Sequence, residues 1–271
     1  MYSTLKPILI NDFGVSINSE YFLSMTSYQI KNLLIRKGFL LIKDLNFKEI
    51  LDFIDFVKLF GEPVQYYDKN QNTAISEYKD LLQVDGDTNR FGEPKGKLPL
   101  HADGALSQTY DELLFLYARK IENMNFQGAT TICNHELAYS ELPIHLKKIL
   151  TEKIFEVKVY DTGQYTKACE DDWFEIPVIV DYGWGTRMFL YFPFLSNTKM
   201  DWETRIKGFS MSETKDFFDE LEKFFTQPKY LYKHLWEKGD LLLIDNRRAL
   251  HSREKFYDST RMLYRGSVNE Y

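Results

Sequence analysis

Apolar and polar positions along the chain change period several times, and each change predicts an element. In Lys48 to Phe60 the residues Ile50, Phe53, Ile54, Val57 and Phe60 recur at helical spacing, giving one apolar stripe that reads as core packing. Thr26 to Lys37 and Ser212 to Gln227 read as helices on the same grounds, as does Leu137 to Glu152, with Ser140 and Pro143 near its start. Short apolar runs predict strands at Leu5 to Ile17, Phe39 to Ile42, Leu113 to Tyr117, Ala129 to Asn134, Ile154 to Tyr160, Val178 to Val180, Phe189 to Phe192, Leu241 to Ile244 and Met262 to Val268. Gln65 to Lys97 is polar and carries Gly86, Gly92, Pro94 and Gly96, so it reads as a long loop of the kind that becomes a lid. Many short strands in mixed order with helices suit a closed or sandwiched sheet better than a doubly wound one.

Chemistry concentrates in four residues on or beside these strands. His101 and Asp103 lie in Leu-Pro-Leu-His-Ala-Asp-Gly, and His251 follows a Gly-Asp turn and the run Leu241 to Ile244. In an extended segment i and i+2 project from one face, so His101 and Asp103 can grip one ion while Ala102 points away. Two imidazoles and one carboxylate are the donor set of an open-sided iron(II) site. Arg261 and Arg265 share a face of the last strand, with Cα atoms about 13 Å apart, enough to serve opposite ends of a pocket for a small diacid and a substrate.

These residues resemble the iron(II)/2-oxoglutarate-dependent oxygenases of the taurine dioxygenase (TauD/TfdA-like) family, and the resemblance covers most of the chain. It runs from Gly38-Phe39-Leu40-Leu41-Ile42 and the segment ending Phe60-Gly61-Glu62-Pro63, through His101-x-Asp103 and Gly128-Ala129-Thr130-Thr131, to Asp245-Asn246-Arg247, His251, Arg261 and Arg265. Ala129 departs from the Asp common there. The resemblance implies an α+β protein with a double-stranded β-helix, or jelly-roll, core and flanking helices. It implies iron held by His101, Asp103 and His251, and 2-oxoglutarate bound through Thr130 and Arg261, with O2 and 2-oxoglutarate converted to succinate and CO2. Arg265 matches an arginine that faces the substrate anion. Retention of Asp103 points to hydroxylation or desaturation, since related halogenases lack the carboxylate.

For the substrate, Arg265, with Arg187 and Lys95 or Lys97 further out, offers cations for a carboxylate. The cluster Tyr182, Trp184, Phe189, Tyr191, Phe192 and Phe194 offers an aromatic wall, part of it core. Together they suggest an aromatic amino-acid-derived acid. The run from Gly239 to Glu254 also looks similar to the (PvcB-like) subgroup that converts isocyano-tyrosine to a vinyl isonitrile. The alternatives are a sulfonate-scavenging dioxygenase of the same family, a zinc hydrolase using the same three ligands, and a silent binding module on the same fold.

Composition narrows the partners. With 271 residues, 44% hydrophobic and 16% aromatic, the chain can bury one large core, and residues 1–271 are expected to form a single domain. A net charge of −6 without a basic run argues against a nucleic-acid groove or an anionic membrane surface, which leaves a small-molecule substrate; a homo-oligomer stays open. Cys133 and Cys169 fit neither a disulfide framework nor a zinc spacing and are read as reduced. With no signal-peptide pattern and no spanning apolar run, the expected location is cytoplasmic. The remaining histidines, His135, His145 and His234, are read as structural or solvated.

Overall fold

A computed structural model describes residues 5–64, 96–104, 106, 111–122, 127–160, 173–183, 185–193, 202–257 and 261–269, together with the backbone of 82–85. The single strand expected over 5–17 is a hairpin of β1 (Leu5–Pro7) and β2 (Val15–Asn18), paired antiparallel. Between them Asp12 and Gly14 adopt φ of 64° and 81°, left-handed values that interrupt a strand and that Asp and Gly tolerate best. Helix α1 (Ser19–Leu23) follows, then α2 (Ser27–Lys37), which opens on a Thr26/Gln29 capping box. Gly38, at φ 75°, ends α2 where a Cβ would collide with the Phe13 ring. The chain continues through β3 (Phe39–Lys43), α3 (Ile50–Lys58), β4 (Glu62–Pro63), β5 (Leu82–Asp85), β6 (Leu98–His101), β7 (Leu113–Lys120) and β8 (Thr130–Asn134).

The one helix expected over 137–152 is two, α4 (His135–Ser140) and α5 (Ile144–Glu152). Pro143 stands between them as the N-cap of α5, where its missing N–H and fixed φ break α4 and start the next helix. Then come β9 (Phe155–Val159), β10 (Phe174–Ile176), β11 (Ile179–Asp181), β12 (Thr186–Met188) and β13 (Trp202–Ile206). No strand forms over 189–192, where Tyr191 makes only an isolated bridge to His101. Helix α6 (Met211–Phe225) starts on a Ser210/Glu213 capping box. The last strands are β14 (Leu231–His234), β15 (Leu241–Asp245), β16 (Ala249–Arg253) and β17 (Met262–Asn269). Most of the expected loop over 65–97 lies outside the described residues; within it, β5 pairs with β17.

Two sheets build the core. The larger runs β1-β2-β3-β15-β7-β17-β4 with β5 on β17, antiparallel except where β2 meets β3; the smaller runs β14-β8-β16-β6, wholly antiparallel. Alternation shows how they stack. In β15, Leu241 and Leu243 pack with Phe53, Ile54 and Val57 of α3, while Leu242 and Ile244 pack with Ile132 and Ala249 of the smaller sheet. The larger sheet is therefore covered on both faces, which is why β15 reads as an unbroken Leu-Leu-Leu-Ile run. On the far side of the smaller sheet, Cys133 and Leu250 meet Phe225 of α6. Cys133 is a buried free thiol whose pKa burial pushes up, and Cys169 lies outside the described residues. No described helix is long and apolar enough to cross a membrane.

His135, fully buried at the start of α4, donates from Nε2 to the Arg247 carbonyl at 2.8 Å and so ties α4 to the turn between β15 and β16. Burial lowers its pKa from 6.5 to about 4. Between those values the unfolded chain binds a proton that the folded chain excludes, so stability falls as pH drops from about 6.5 to about 4, by on the order of 3 kcal/mol from this group. In urea unfolding at pH 7 and pH 5, His135→Gln, which keeps a donor and does not titrate, is expected to lose less stability on acidification than wild type. Equal losses would refute the assignment.

Candidate metal centre

The two histidines meet because β6 and β16 are neighbours and His251 stands directly opposite His101 in the ladder. Their rings lie 4.4 Å apart, centroid to centroid. Just beyond this pair the register shifts, with Arg253 facing Leu98, so β6 carries an extra residue at Pro99-Leu100. The Pro99 carbonyl accepts from His101 Nδ1 at 2.8 Å, which fixes the tautomer that presents a lone pair at Nε2. Beneath the ring, Trp202 and Tyr191 pack at 5.6 and 6.2 Å.

Asp103 lies in the turn after β6 and completes the cluster. Its Oδ1 is 3.6 Å from His101 Nε2 and its Oδ2 is 3.4 Å from His251 Nε2; the three ligand atoms lie within 4.8 Å of one another. A turn residue needs holding, and the main chain here is clamped. Asn246, fully buried, accepts from Asp103 N–H at 3.1 Å and donates to the carbonyls of Asp103 at 2.9 Å and Asp111 at 2.5 Å. Arg187 donates to the same two carbonyls at 3.2 and 2.8 Å. Arg265 grips Asp103 Oδ2 at 2.7 Å and Asp111 Oδ2 at 3.4 Å, and Ser267 donates to that Asp111 oxygen at 2.9 Å. With Oδ2 engaged by a guanidinium, Oδ1 is the oxygen best placed for a metal.

The electrostatics suit a cation. Burial alone would raise the Asp103 pKa, but Arg265 and the two histidines outweigh it and hold the carboxyl well below its usual range. Burial, with His251 beside it, lowers His101 to about 3, so the imidazole is neutral and available as a ligand. Two imidazole nitrogens and one ionised carboxylate on one side of a site fit iron(II) with open positions opposite. Among the described residues this is the one cluster of three such donors.

The arginine expected to meet the cosubstrate is buried. Arg261 is 2% exposed, packs 5.1 Å from the Phe256 ring, and has no paired carboxylate among the described residues; its Nε is without a hydrogen-bond partner. Burial, helped by Arg253, lowers its pKa to about 9. A buried guanidinium left this way is costly and is relieved by an anionic ligand. Arg253 stands across from Thr130 in the ladder and lies 5.8 Å from the same Phe256 ring, so Thr130 and Arg261 belong to one region of the interior.

Other expected residues are engaged elsewhere. Lys97 pairs with Glu222 of α6 at 2.7 Å on the surface. Arg187, expected at the substrate, is 4% exposed and holds main-chain carbonyls, with Phe189 4.3 Å beneath it. Tyr182 donates to Glu136 at 2.9 Å, and Phe189, Tyr191 and Phe192 are core. Trp184, Phe194 and Lys95 lie outside the described residues. Sequence reasoning missed Asn246 and Asp111. The first stood in the quoted Asp245-Asn246-Arg247 lead-in without a role, and the second gave no signal.

Comparison with known proteins agrees with this geometry. The family model described as "Taurine catabolism dioxygenase TauD, TfdA family" matches residues 5–267. The alpha-ketoglutarate-dependent 2,4-dichlorophenoxyacetate dioxygenase of Burkholderia sp. (strain RASC) is 26% identical over 284 residues, covering 91% of each chain. The alkylsulfatase of Acinetobacter baylyi is 24% identical over 204 residues, covering 72% of this chain and 61% of its own. Among solved structures, PvcB from Pseudomonas aeruginosa superposes with a TM-score of 0.75 at 16% identity, covering 99% of this chain and 93% of that one. The fold is thus that of a known group of enzymes.

Asn246→Ala removes three hydrogen bonds to the Asp103 and Asp111 main chain without changing any charge. It is expected to weaken Fe(II) or Mn(II) affinity about 10- to 100-fold, as removal of a supporting partner does at metal sites. Metal titration of the folded variant checks this; unchanged affinity would mean that the clamp does not position Asp103.

Proposed function

The chain belongs to the TauD/TfdA dioxygenase family, and from that premise we propose that it hydroxylates or desaturates a small carboxylate-bearing molecule derived from an aromatic amino acid. It is an Fe(II)/2-oxoglutarate-dependent dioxygenase. The observation that carries the reading is the pairing of a His-Asp-His cluster, its two histidines buried, with a buried arginine that has no carboxylate partner among the described residues. We read the two facing sheets as a jelly roll and residues 1–271 as one domain acting in the cytoplasm on a small molecule.

In this reading His101, His251 and Asp103 Oδ1 hold iron(II), while Arg261 and the Thr130 hydroxyl hold the distal carboxylate of 2-oxoglutarate. Bound together with O2, the pair supplies a two-electron oxidation in which 2-oxoglutarate leaves as succinate and CO2. The chain's own residues orient and exclude. Arg265 keeps Asp103 ionised and its second oxygen engaged, and the buried Tyr191 and Trp202 hold the His101 ring in place and keep water from behind it. Arg265 also offers a cation for a substrate carboxylate.

The leading candidate is isocyano-tyrosine. Its decarboxylation and desaturation to a vinyl isonitrile consumes one 2-oxoglutarate and one O2 and yields succinate, two CO2 and water. Likeness to PvcB, described as an oxygenase from an isonitrile synthetic pathway, supports the class of reaction. The name of the Burkholderia relative supports an aromatic ring bearing a carboxylate. The alkylsulfatase relative favours the second reading, an organosulfur anion such as a sulfonate.

Anaerobic addition of Fe(II) and then 2-oxoglutarate is expected to give the weak visible charge-transfer band of a chelated 2-oxo acid. Arg261→Ala is expected to weaken 2-oxoglutarate binding by on the order of 2 to 5 kcal/mol. With O2, succinate should form in step with loss of isocyano-tyrosine. Turnover of taurine or another sulfonate, with none of the aromatic acids, would overturn the substrate assignment in favour of sulfonate scavenging.

A further inference from the structure

We propose that Trp236 is a positioning residue for the cosubstrate, fixing the Thr130 hydroxyl as a hydrogen-bond donor. The inference rests on the reading that Thr130 and Arg261 receive the distal carboxylate of 2-oxoglutarate. Trp236 follows β14 and is buried, and its indole Nε1 donates to Thr130 Oγ1 at 3.0 Å. An indole N–H is a donor only, whereas a threonine hydroxyl has one proton and two acceptor lone pairs. Once a lone pair is taken by the indole, the rotor settles with its proton directed elsewhere. A carboxylate can only accept, so a hydroxyl held as a donor is the complement it needs.

The indole is itself held through two buried polar side chains, His234 and Asp240, and the half-buried Lys43 behind them. His234, opposite Thr130 in the β14·β8 ladder, packs edge to face on Trp236 with centroids 4.5 Å apart. His234 Nε2 is 3.1 Å from Asp240 Oδ2, and Asp240 is bridged by Lys43 at 2.9 Å and accepts from the Glu237 N–H at 2.9 Å. Asp240 and His234 are 0% and 2% exposed. Lys43, Asp240, His234 and Trp236 form a rigid brace from the end of β3 to Thr130. None of the four belongs to the His101-Asp103-His251 cluster, and the chemistry of the iron site gives them no other task. Orientation of one hydroxyl accounts for the brace.

The test separates positioning from packing. Trp236→Phe keeps an aromatic ring and removes the N–H; site-specific replacement of Trp236 by benzothienylalanine, with sulfur in place of N–H, does the same with almost no change of shape. Affinity for 2-oxoglutarate is read from the anaerobic Fe(II) charge-transfer titration, which needs no turnover. Both variants are expected to weaken 2-oxoglutarate about three- to tenfold, the effect of one neutral hydrogen bond. Binding of 2-oxobutyrate, which keeps the chelating end and lacks the distal carboxylate, should be unchanged. In a Thr130→Val background the second substitution should add less than about twofold.

Equal weakening of both acids, a full loss that persists in Thr130→Val, or no loss in the benzothienylalanine protein overturns the proposal. If wild type itself binds 2-oxobutyrate and 2-oxoglutarate equally well, the assignment of Thr130 and Arg261 to the distal carboxylate has failed and the proposal falls with it. That pattern is distinct from the variant-specific failures.

Discussion

The site depends on one register: His251 of β16 opposite His101 of β6. Side chains alternate across a strand, so a slip of one residue would turn His251 to the outer face and bring Leu250 inward. The hydrophobic pattern forbids the slip. Ala249 with Ile132 fits the space between the sheets, while Leu250 with Cys133 fits against α6. Apolar packing on two faces of one strand thereby sets the spacing of two metal ligands, and the bulge at Pro99 supplies the carbonyl that selects the His101 tautomer.

Around that pair the interior holds charge in two different ways. Near the metal, charges compensate one another: Arg265 lies between Asp103 and Asp111, Ser267 supports Asp111, and Asn246 with Arg187 holds the main chain of both acids. Such a network rigidifies because each group would be expensive to leave unpaired. At Arg261, among the described residues, the neighbours are an aromatic ring and a second arginine, with no paired carboxylate. Near Asp103 the charges are met by protein groups, whereas Arg261 has no carboxylate partner among the described residues, and in our reading an anion would supply it. This difference is what supports reading one end as the metal site and the other as the place of a dicarboxylate.

Much of this was legible in the sequence, because the features concerned are local or periodic. The stripe of α3, the capping residues Thr26 and Ser210, the buried run of β15 and the His101-x-Asp103 triplet all follow from spacing, whereas Arg261, expected on a shared strand face with Arg265, lies just before β17. The failures have equally local causes. A left-handed Asp12 turned one strand into a hairpin, and Pro143 divided one helix into two. The partners of Lys97, Arg187 and Asp111 were not legible, since each is set by contacts 76 or more residues away in the chain. A cation in a sequence does not reveal whether it meets a ligand, a surface glutamate or a main-chain carbonyl.

Arg265 brings these strands of argument together. It is in contact with the candidate metal carboxylate, and it is shared by two carboxylates at unequal distances, 2.7 Å to Asp103 and 3.4 Å to Asp111. A substrate carboxylate arriving there competes first with the longer and weaker contact, because charge-assisted bonds near 2.8 Å are the strong ones. Asp111 has a second donor in Ser267 and can yield its share of Arg265 without being left unpaired. Asp103 Oδ2 has only the longer 3.4 Å approach of His251 Nε2 besides Arg265 among the described residues, so its short bond to the guanidinium is the one to be kept. The same arginine can therefore hold the metal's carboxylate ionised and meet a substrate anion, provided that Asp111 is the partner that gives way.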